Sequence, residues 1–226
     1  MKIVVGTRSS KLARAQTEIV VQQLQKIDPS IKAEYRLIQT EGDQKFEAQL
    51  KDLGGKGAFT ATLNRALRDG EIDLAVHSYK DLPTADDMSE YGLRISAITK
   101  RADANDVLVA RQPLDLSVEK PLKIGTSSSR RKCQLLRKYP HLNVLPIRGN
   151  ITTRIQKMVR HEFDGIILAA AGIDRLKPSV PWMKRLNDDV MLPAPAQGAL
   201  AIASRKDHEE LIALLAKIND DETEIT

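Results

Sequence analysis

The fold is decided first by residues 2–13, which read KIVVGTRSSKLA. Lys2–Val5 is predicted to be a short strand ending at Gly6, and from Ser10 the apolar residues take helical spacing. Residues 125–136 read GTSSSRRKCQLL and repeat the same order of strand end, Gly-Thr, serine and helix. Two strand-helix series that begin alike predict an α/β protein of two domains, each with a mainly parallel central sheet covered by helices.

The rest of the chain alternates between strand-like and helix-like runs, and this alternation sets the expected domain boundaries. The chain is predicted to cross between the domains near residues 97–105 and again near residues 188–197. The expected domains are therefore residues 1–97 with 197–218, residues 98–196, and a tail at residues 219–226. Two crossings make a hinged clamp, in which ligands favour the cleft at the carboxyl ends of the strands.

Four segments have patterns that predict particular local structures. Residues 165–170 read GIILAA, a near-continuous apolar run typical of a buried parallel strand. Residues 177–188 are predicted to be an irregular connection because they contain two prolines and little periodicity, and Val190–Leu192 is predicted to be a strand. Residues 41–57 are polar and rich in glycine, which predicts a long mobile loop.

Composition excludes several classes of protein. Among the 226 residues, 42% are hydrophobic and 29% are charged, which argues against wholesale disorder. No apolar run reaches the roughly 18 residues that a membrane helix needs, and the apolar N-terminus is too short for a signal peptide. We therefore expect a soluble, cytoplasmic protein that does not engage membranes.

Charge and cysteine content narrow the class of ligand. The net charge is +5, and aromatic residues make up only 4%, too few for the stacking platforms of single-strand nucleic-acid binders. The sequence contains one cysteine, Cys133, which excludes an internal disulfide framework and a multi-thiolate metal site. A basic excess is compatible with nucleic acid, an anionic membrane or an acidic small molecule as the partner, so the positions of the arginines must decide.

Two motifs at predicted strand ends in the first series could carry chemistry. Arg8 and Ser10 lie at a strand-to-helix junction, where free backbone N–H groups favour an anion, although Ser10 could simply cap the helix. The stretch AVHSYKDLP, residues 75–83, crowds polar side chains at the end of an apolar strand. Asp81 beside Lys80 is either a solvated ion pair or a carboxylate available for charge stabilisation and acid-base work.

The second series carries arginines at its strand ends. Arg130 and Arg131 follow three serines at a helix start, where the helix dipole disfavours cations unless an anion offsets them. Arg148, Arg154 and Arg175 follow later strands. Each arginine alone is most simply a surface residue. The set as a whole favours a site for several carboxylates or phosphates, which guanidinium groups bind through paired hydrogen bonds.

Other common chemistries lack their motifs. Residues 54–57, GGKG, do not have the spacing of a phosphate-binding P-loop. The four histidines show no metal-ligand spacing, so we expect no metal. Cys133 is interpreted as an ordinary packed thiol, and the alternative is a reactive thiol beside basic neighbours.

Eight motifs occur in an order that resembles one family, the porphobilinogen deaminases, also called hydroxymethylbilane synthases. They are GTRSSKLARAQ, QTEGDQ, GGKGAFTATL, DLAVHSYKDLPT, GTSSSRRKCQLL, RGNITTR, DGIILAAAGIDRL and PAPAQGALAI. The resemblance implies two hinged α/β domains like those of type II periplasmic binding proteins, followed by a small third domain. It also implies a transferase of haem and porphyrin biosynthesis that joins porphobilinogen, an acidic pyrrole, into a linear tetrapyrrole with release of ammonia.

The resemblance also implies roles for individual residues. Asp81 would be the catalytic carboxylate, which stabilises the cation formed as ammonia leaves. Residues implied to bind substrate or the dipyrromethane cofactor, or to line their site, are Arg8, Ser10, Phe59, His77, Ser78, Lys80, Ser128, Arg130, Arg131, Arg148, Arg154, Arg175 and Gln197. The glycine-rich stretch 41–58 would cover the site, and the protein is expected to be a monomer.

The chain departs from the family pattern in one major respect. In this family the dipyrromethane primer is attached to a cysteine in the third domain, whereas this sequence ends at DDETEIT, about where that domain should begin. The expectation is a short form to which the primer cannot attach at the usual cysteine. A smaller departure is Ala196, which replaces the first glycine of the usual Gly-Gln-Gly. The alternatives are a non-catalytic paralogue that binds pyrroles or polycarboxylates, and an N-terminal fragment of a longer deaminase.

Overall fold

The computed structural model describes residues 1–38, 60–82, 88 and 91–225. The chain divides into two compact units, each built around a five-stranded sheet. Unit 1 comprises Met1–Arg101 and Ala199–Thr226, and unit 2 comprises Ala102–Gly198.

Strands and helices alternate along most of the described chain. The strands are β1 (Lys2–Thr7), β2 (Lys32–Leu37), β3 (Leu74–Ser78), β4 (Leu93–Ile98), β5 (Asp106–Ala110), β6 (Lys123–Gly125), β7 (Asn143–Leu145), β8 (Gly165–Ala169), β9 (Trp182–Arg185) and β10 (Leu200–Arg205). The helices are α1 (Lys11–Ile27), α2 (Ala61–Arg68), α3 (Ser129–Lys138), α4 (Ile151–Val159), α5 (Ala170–Leu176), α6 (Glu209–Ala216) and α7 (Asp221–Ile225). A short 3₁₀ turn, Tyr79–Asp81, follows β3.

Both sheets are mixed. The order in unit 1 is β2-β1-β3-β10-β4, in which β1 runs parallel to β2 and β3 while β10 runs antiparallel to β3 and β4. The order in unit 2 is β7-β6-β8-β5-β9, and here β5 runs antiparallel to both neighbours. In each sheet four of the five strands run in one direction, so the prediction of mainly parallel sheets is confirmed. The exceptions are β5 and β10, which run antiparallel to their neighbours. Each is the first strand after the chain passes from one unit to the other.

Helices cover both faces of each sheet because successive strand residues point to opposite faces. In unit 1, Leu74 and Val76 of β3 pack in one core cluster with α1 and α6, whereas Ala75 packs in another with α2. In unit 2, Ile166 of β8 packs with α4, and Ile167 packs in the cluster that contains Leu135 of α3. These strands are apolar throughout because they are buried on both faces.

Two of the local predictions on the second series are wrong. Val190–Leu192 is not a strand, because the N–H groups of Val190 and Met191 both donate to the carbonyl of Asn187 and so form a turn. Conversely, residues 177–188 contain strand β9. The sequence did not predict this strand because β9 lies at the edge of its sheet and its residues are mostly exposed. An exposed edge strand does not require the alternation of apolar and polar residues from which strands are predicted. The predicted loop at 41–57 lies outside the described residues.

Candidate active site

The first group of candidate residues lies at the carboxyl ends of β1 and β3 in unit 1. These strands are parallel neighbours, with Gly6 paired to Ala75, so the segments that follow them emerge at the same edge of the sheet. The structure thereby places on one edge Arg8, Ser10, His77, Ser78, Lys80 and Asp81. We call this set the Asp81 site. Lys80 and Asp81 are exposed on the 3₁₀ turn, whose first residue donates its N–H to the carbonyl of Ala199.

Hydrogen bonds attach helix α1 to this edge. The Ser10 side chain accepts from the N–H of Ala13 at 3.2 Å, so it does cap the helix as one reading of the sequence held. Gln16, which is buried, donates from Nε2 to the hydroxyl of Ser78 at 2.8 Å. Sequence reasoning missed Gln16, although a polar residue four positions from Leu12 and from Val20 on an apolar helix face was a usable signal.

His77 is a buried, neutral member of the Asp81 site. Only 6% of its surface is exposed, and its Nε2 has no hydrogen-bond partner among the described residues. Burial, together with a smaller effect of the positive charge on Arg8, lowers the pKa of His77 from 6.5 to about 4. At neutral pH His77 is therefore an uncharged polar side chain that lines the site.

This burial should make folding stability depend on pH. Between about pH 6.5 and pH 4 the unfolded chain binds a proton at His77 that the folded chain excludes, so the free energy of unfolding falls as the pH falls through this window. The full contribution is on the order of 3 kcal/mol. Denaturant unfolding at a series of pH values measures this effect. As the pH is lowered, the free energy of unfolding should fall less in His77→Gln than in wild type. The exposed His161→Asn is the control, and equal profiles for His77→Gln and wild type would refute the assignment.

The second group of candidate residues lies at the carboxyl ends of β6, β7 and β8 in unit 2. β6 is the central parallel neighbour, with Gly125 paired both to Leu145 and to Ile166. The edge carries Ser128, Arg130, Arg131, Arg148, Arg154, Arg175 and Gln197, which we call the arginine site. Ser128, Arg130 and Arg131 lie at the start of α3, where Ser128 caps the helix by accepting from the N–H of Arg131 at 3.4 Å. Arg148 and Arg154 lie on either side of the start of α4.

A buried carboxylate, that of Asp106, pairs with the adjacent arginines Arg130 and Arg131. Arg130 donates from Nη2 to Oδ2 of Asp106 at 2.6 Å, and Arg131 donates from Nη2 to Oδ1 at 2.7 Å. Gln197 donates to the same Oδ1 at 2.9 Å. Burial would by itself raise the pKa of Asp106, but the charge of Arg131 and these hydrogen bonds outweigh it, so the pKa lies below its usual value. Sequence reasoning missed Asp106, since it opens an apolar strand far along the chain from its partners.

Three arginines of this edge have no carboxylate partner within the described ranges. Arg148 is exposed. Arg154 donates from Nε to the carbonyl of Gly149 at 2.7 Å, and Arg175 donates from Nη2 to the carbonyl of Gly198 at 2.5 Å. Burial lowers the pKa of both, and in Arg154 the charge of Arg131 adds to the effect. Positive charge is thus concentrated here without an internal anion for these three side chains.

The remaining site predictions have simple outcomes. Phe59 and the rest of the predicted covering loop lie outside the described residues. Cys133 is a free, exposed thiol on α3 rather than the packed one expected. Among the residues that the structure describes, His, Cys, Asp and Glu side chains form no cluster able to hold a metal, and no helix is long and apolar enough to cross a membrane.

Solved structures similar to this chain define the class of fold. A periplasmic binding protein from Salmonella typhimurium matches with a TM-score of 0.51 and 14% identity, covering 100% of this chain and 94% of that one. The VFT2 domain of Bordetella pertussis BvgS matches with a TM-score of 0.51 and 17% identity, covering 98% of this chain and 90% of that one. The chain has the two-domain α/β fold of type II periplasmic binding proteins, which confirms the predicted fold class.

Sequence comparison then identifies the family. Residues 3–213 match the family model described as porphobilinogen deaminase, dipyromethane cofactor binding domain. A porphobilinogen deaminase of Macrococcus caseolyticus is 45% identical over 230 residues, covering 99% of this chain and 73% of the relative. One of Bacillus subtilis is 44% identical over 227 residues, covering 99% of this chain and 71% of the relative. The chain belongs to the porphobilinogen deaminase family, and the predicted resemblance is confirmed.

The donor set of the arginine site suits the family's cofactor. Two pyrroles that carry acetate and propionate groups bring several carboxylates, and guanidinium groups bind carboxylates in paired hydrogen bonds. Arg148, Arg154 and Arg175 have no carboxylate of their own within the described chain, and the buried Nε of Arg131 has no hydrogen-bond partner there. The residues present therefore fit a carboxylate-bearing group such as dipyrromethane.

Proposed function

We propose that this protein is a transferase of tetrapyrrole biosynthesis that joins porphobilinogen units head to tail into a linear tetrapyrrole, releasing ammonia at each addition. The observation that carries the proposal is the family match over residues 3–213, which includes both the Asp81 site and the arginine site. The names of the relatives do not favour a paralogue that only binds pyrroles.

Binding is assigned to the arginines of unit 2. Arg148, Arg154 and Arg175 offer uncompensated positive charge, so the carboxylates of porphobilinogen and of the growing chain are expected to pair with them. Dipyrromethane, when bound, supplies the pyrrole carbon to which the first substrate unit is joined. Which arginine holds which carboxylate stays a prediction from the family resemblance.

Catalysis is assigned to Asp81. When the C–N bond of the aminomethyl side chain of porphobilinogen breaks, the amino group leaves as ammonia and the methylene carbon stays on the ring. The pyrrole nitrogen supplies the electron pair for the new double bond to this carbon and becomes positively charged. An ionised Asp81 oxygen accepts a hydrogen bond from this N–H, and the interaction strengthens as the charge develops, which is the difference that catalysis requires. We expect the same oxygen to take up the proton lost from the carbon that forms the new bond.

Purified protein incubated with porphobilinogen tests the proposal. We expect porphobilinogen, followed with Ehrlich reagent, to disappear with release of one ammonia per unit consumed. Intact mass spectrometry of the same sample shows whether pyrrole units are covalently attached. Attachment through a cysteine could involve only Cys133, which is the one cysteine in the sequence and is exposed on α3. The proposal fails if porphobilinogen is neither consumed nor bound, with or without added dipyrromethane. A cytoplasmic location and a monomeric state stay predictions.

A further inference from the structure

Asp106 contacts three residues of the arginine site at once. It is the first residue of β5, and its side chain has 0% exposure. Its two carboxylate oxygens accept hydrogen bonds from the side chains of Arg130, Arg131 and Gln197 at distances between 2.6 and 2.9 Å. One buried carboxylate therefore joins helix α3 to the segment that precedes β10.

The other contacts of these partners restrict them further. Arg131 also donates from Nη1 to the carbonyl of Ile167 at 3.0 Å, and only 9% of its side chain is exposed. Arg130 donates from Nη1 to the carbonyl of Leu192, and 25% of its side chain is exposed. Each guanidinium group is thus held at two of its nitrogens, and a planar group held at two points has one orientation.

Gln197 is held by the same carboxylate in a constrained backbone. Its Nε2 donates to the carbonyl of Ala104 at 2.6 Å as well as to Asp106. Its neighbours Ala196 and Gly198 have positive φ angles of 58° and 100°, and alanine adopts such an angle only at a cost in energy. The side-chain bonds of Gln197 help to hold this bend.

We propose that Asp106 is a positioning residue of the arginine site, one that sets the orientation of Arg130 and Arg131 toward bound carboxylates without itself touching the substrate. The inference rests on the proposed function. Its alternative is that Asp106 only neutralises excess positive charge and has no effect on geometry. The two roles predict opposite changes in affinity.

Two substitutions separate the roles. Asp106→Asn removes a negative charge close to an anion site, so simple neutralisation predicts tighter binding of porphobilinogen, whereas positioning predicts weaker binding. Asp106→Glu keeps the charge but lengthens the side chain, so neutralisation predicts unchanged binding and positioning again predicts weaker binding. We expect a loss of affinity of roughly 10-fold or more in both variants, because small misplacements of binding groups are costly.

Asp164→Asn is the matched control. Asp164 also lies in unit 2, 3.7 Å from Nη2 of Arg111, and its Oδ2 accepts from the N–H of Lys123 at 2.8 Å. It precedes β8 at the opposite edge from the arginine site. Its substitution should lower the melting temperature and leave affinity for porphobilinogen unchanged.

Titration calorimetry with porphobilinogen and NMR of arginine side chains complete the test. In wild type without ligand, the Nη protons of Arg130 and Arg131 should give slowly exchanging signals, and Asp106→Glu should lose them. The NMR measurement on wild type remains decisive if a variant does not fold. Tighter binding by Asp106→Asn, wild-type binding by Asp106→Glu, or freely rotating guanidinium groups in wild type would overturn the inference. A wild-type protein that shows the NMR signals but binds no porphobilinogen would overturn the proposed function instead.

Discussion

Replacing Asp81 with asparagine is expected to lower the rate of porphobilinogen consumption by about 10²-fold or more, as removal of other charge-stabilising groups does. The substitution keeps the shape and hydrogen-bonding capacity of the side chain but removes its charge. Ground-state binding should change far less, because the arginines of unit 2 supply most of the attraction for carboxylates. The expected signature is therefore a lower kcat with a nearly unchanged dissociation constant for porphobilinogen.

Asp69→Asn is the control for this prediction. Asp69 is an exposed carboxylate of the same unit, at the end of α2, where it pairs with Arg68. Its substitution should leave the rate and the affinity at wild-type values. If Asp81→Asn turns over as fast as wild type, the proposed catalytic role of Asp81 is wrong. If affinity falls as much as the rate, Asp81 acts in binding instead.

Replacing Arg154 with methionine is expected to weaken porphobilinogen binding and to stabilise the free protein. A hydrogen bond to a charged group contributes about 1.5–3 kcal/mol, so affinity should fall by roughly 10- to 100-fold. Stability should rise, because the wild-type protein keeps a partly buried guanidinium whose pKa is lowered by burial and by Arg131. We expect a gain of about 1 kcal/mol, of the size typical when a functional site is relieved of an unfavourable group.

Thermal unfolding and calorimetry on the same samples check both halves of this prediction. Arg160→Met is the control, since Arg160 is exposed at the end of α4. That variant should change neither the melting temperature nor the affinity. An Arg154→Met protein that is less stable than wild type would mean that its bond to the carbonyl of Gly149 outweighs the cost of burying the charge. Unchanged affinity would remove Arg154 from the binding set.

The accuracy of the sequence predictions depended on how local each signal was. The start of α1 at Ser10 and the strand ending near Gly6 were predicted correctly, because a capping serine and a change of apolar period are written in neighbouring residues. Strand β9 was missed and a strand at Val190–Leu192 was wrongly expected, because at an edge of a sheet pairing depends on a distant partner rather than on local periodicity.

The candidate site divides in the same way. The sequence alone indicated that polar and cationic residues follow the strands, and the parallel register then brought Arg8 to the same edge as His77 in unit 1. Neither the burial of His77 nor the link from Gln16 to Ser78 was predicted, since both depend on segments that are distant along the chain and meet only in the folded structure.

The sequence by itself determined the presence of two α/β units and the arginines at the strand ends. Only the tertiary structure decided which of these arginines form ion pairs with a carboxylate of the protein itself. Asp106 lies 24 and 25 residues from Arg130 and Arg131 and 91 residues from Gln197, and these groups meet because β5 is paired beside β8 in the middle of the sheet. An ion pair in a protein interior depends on distance in space and on exclusion of water, and neither is encoded in spacing along the chain.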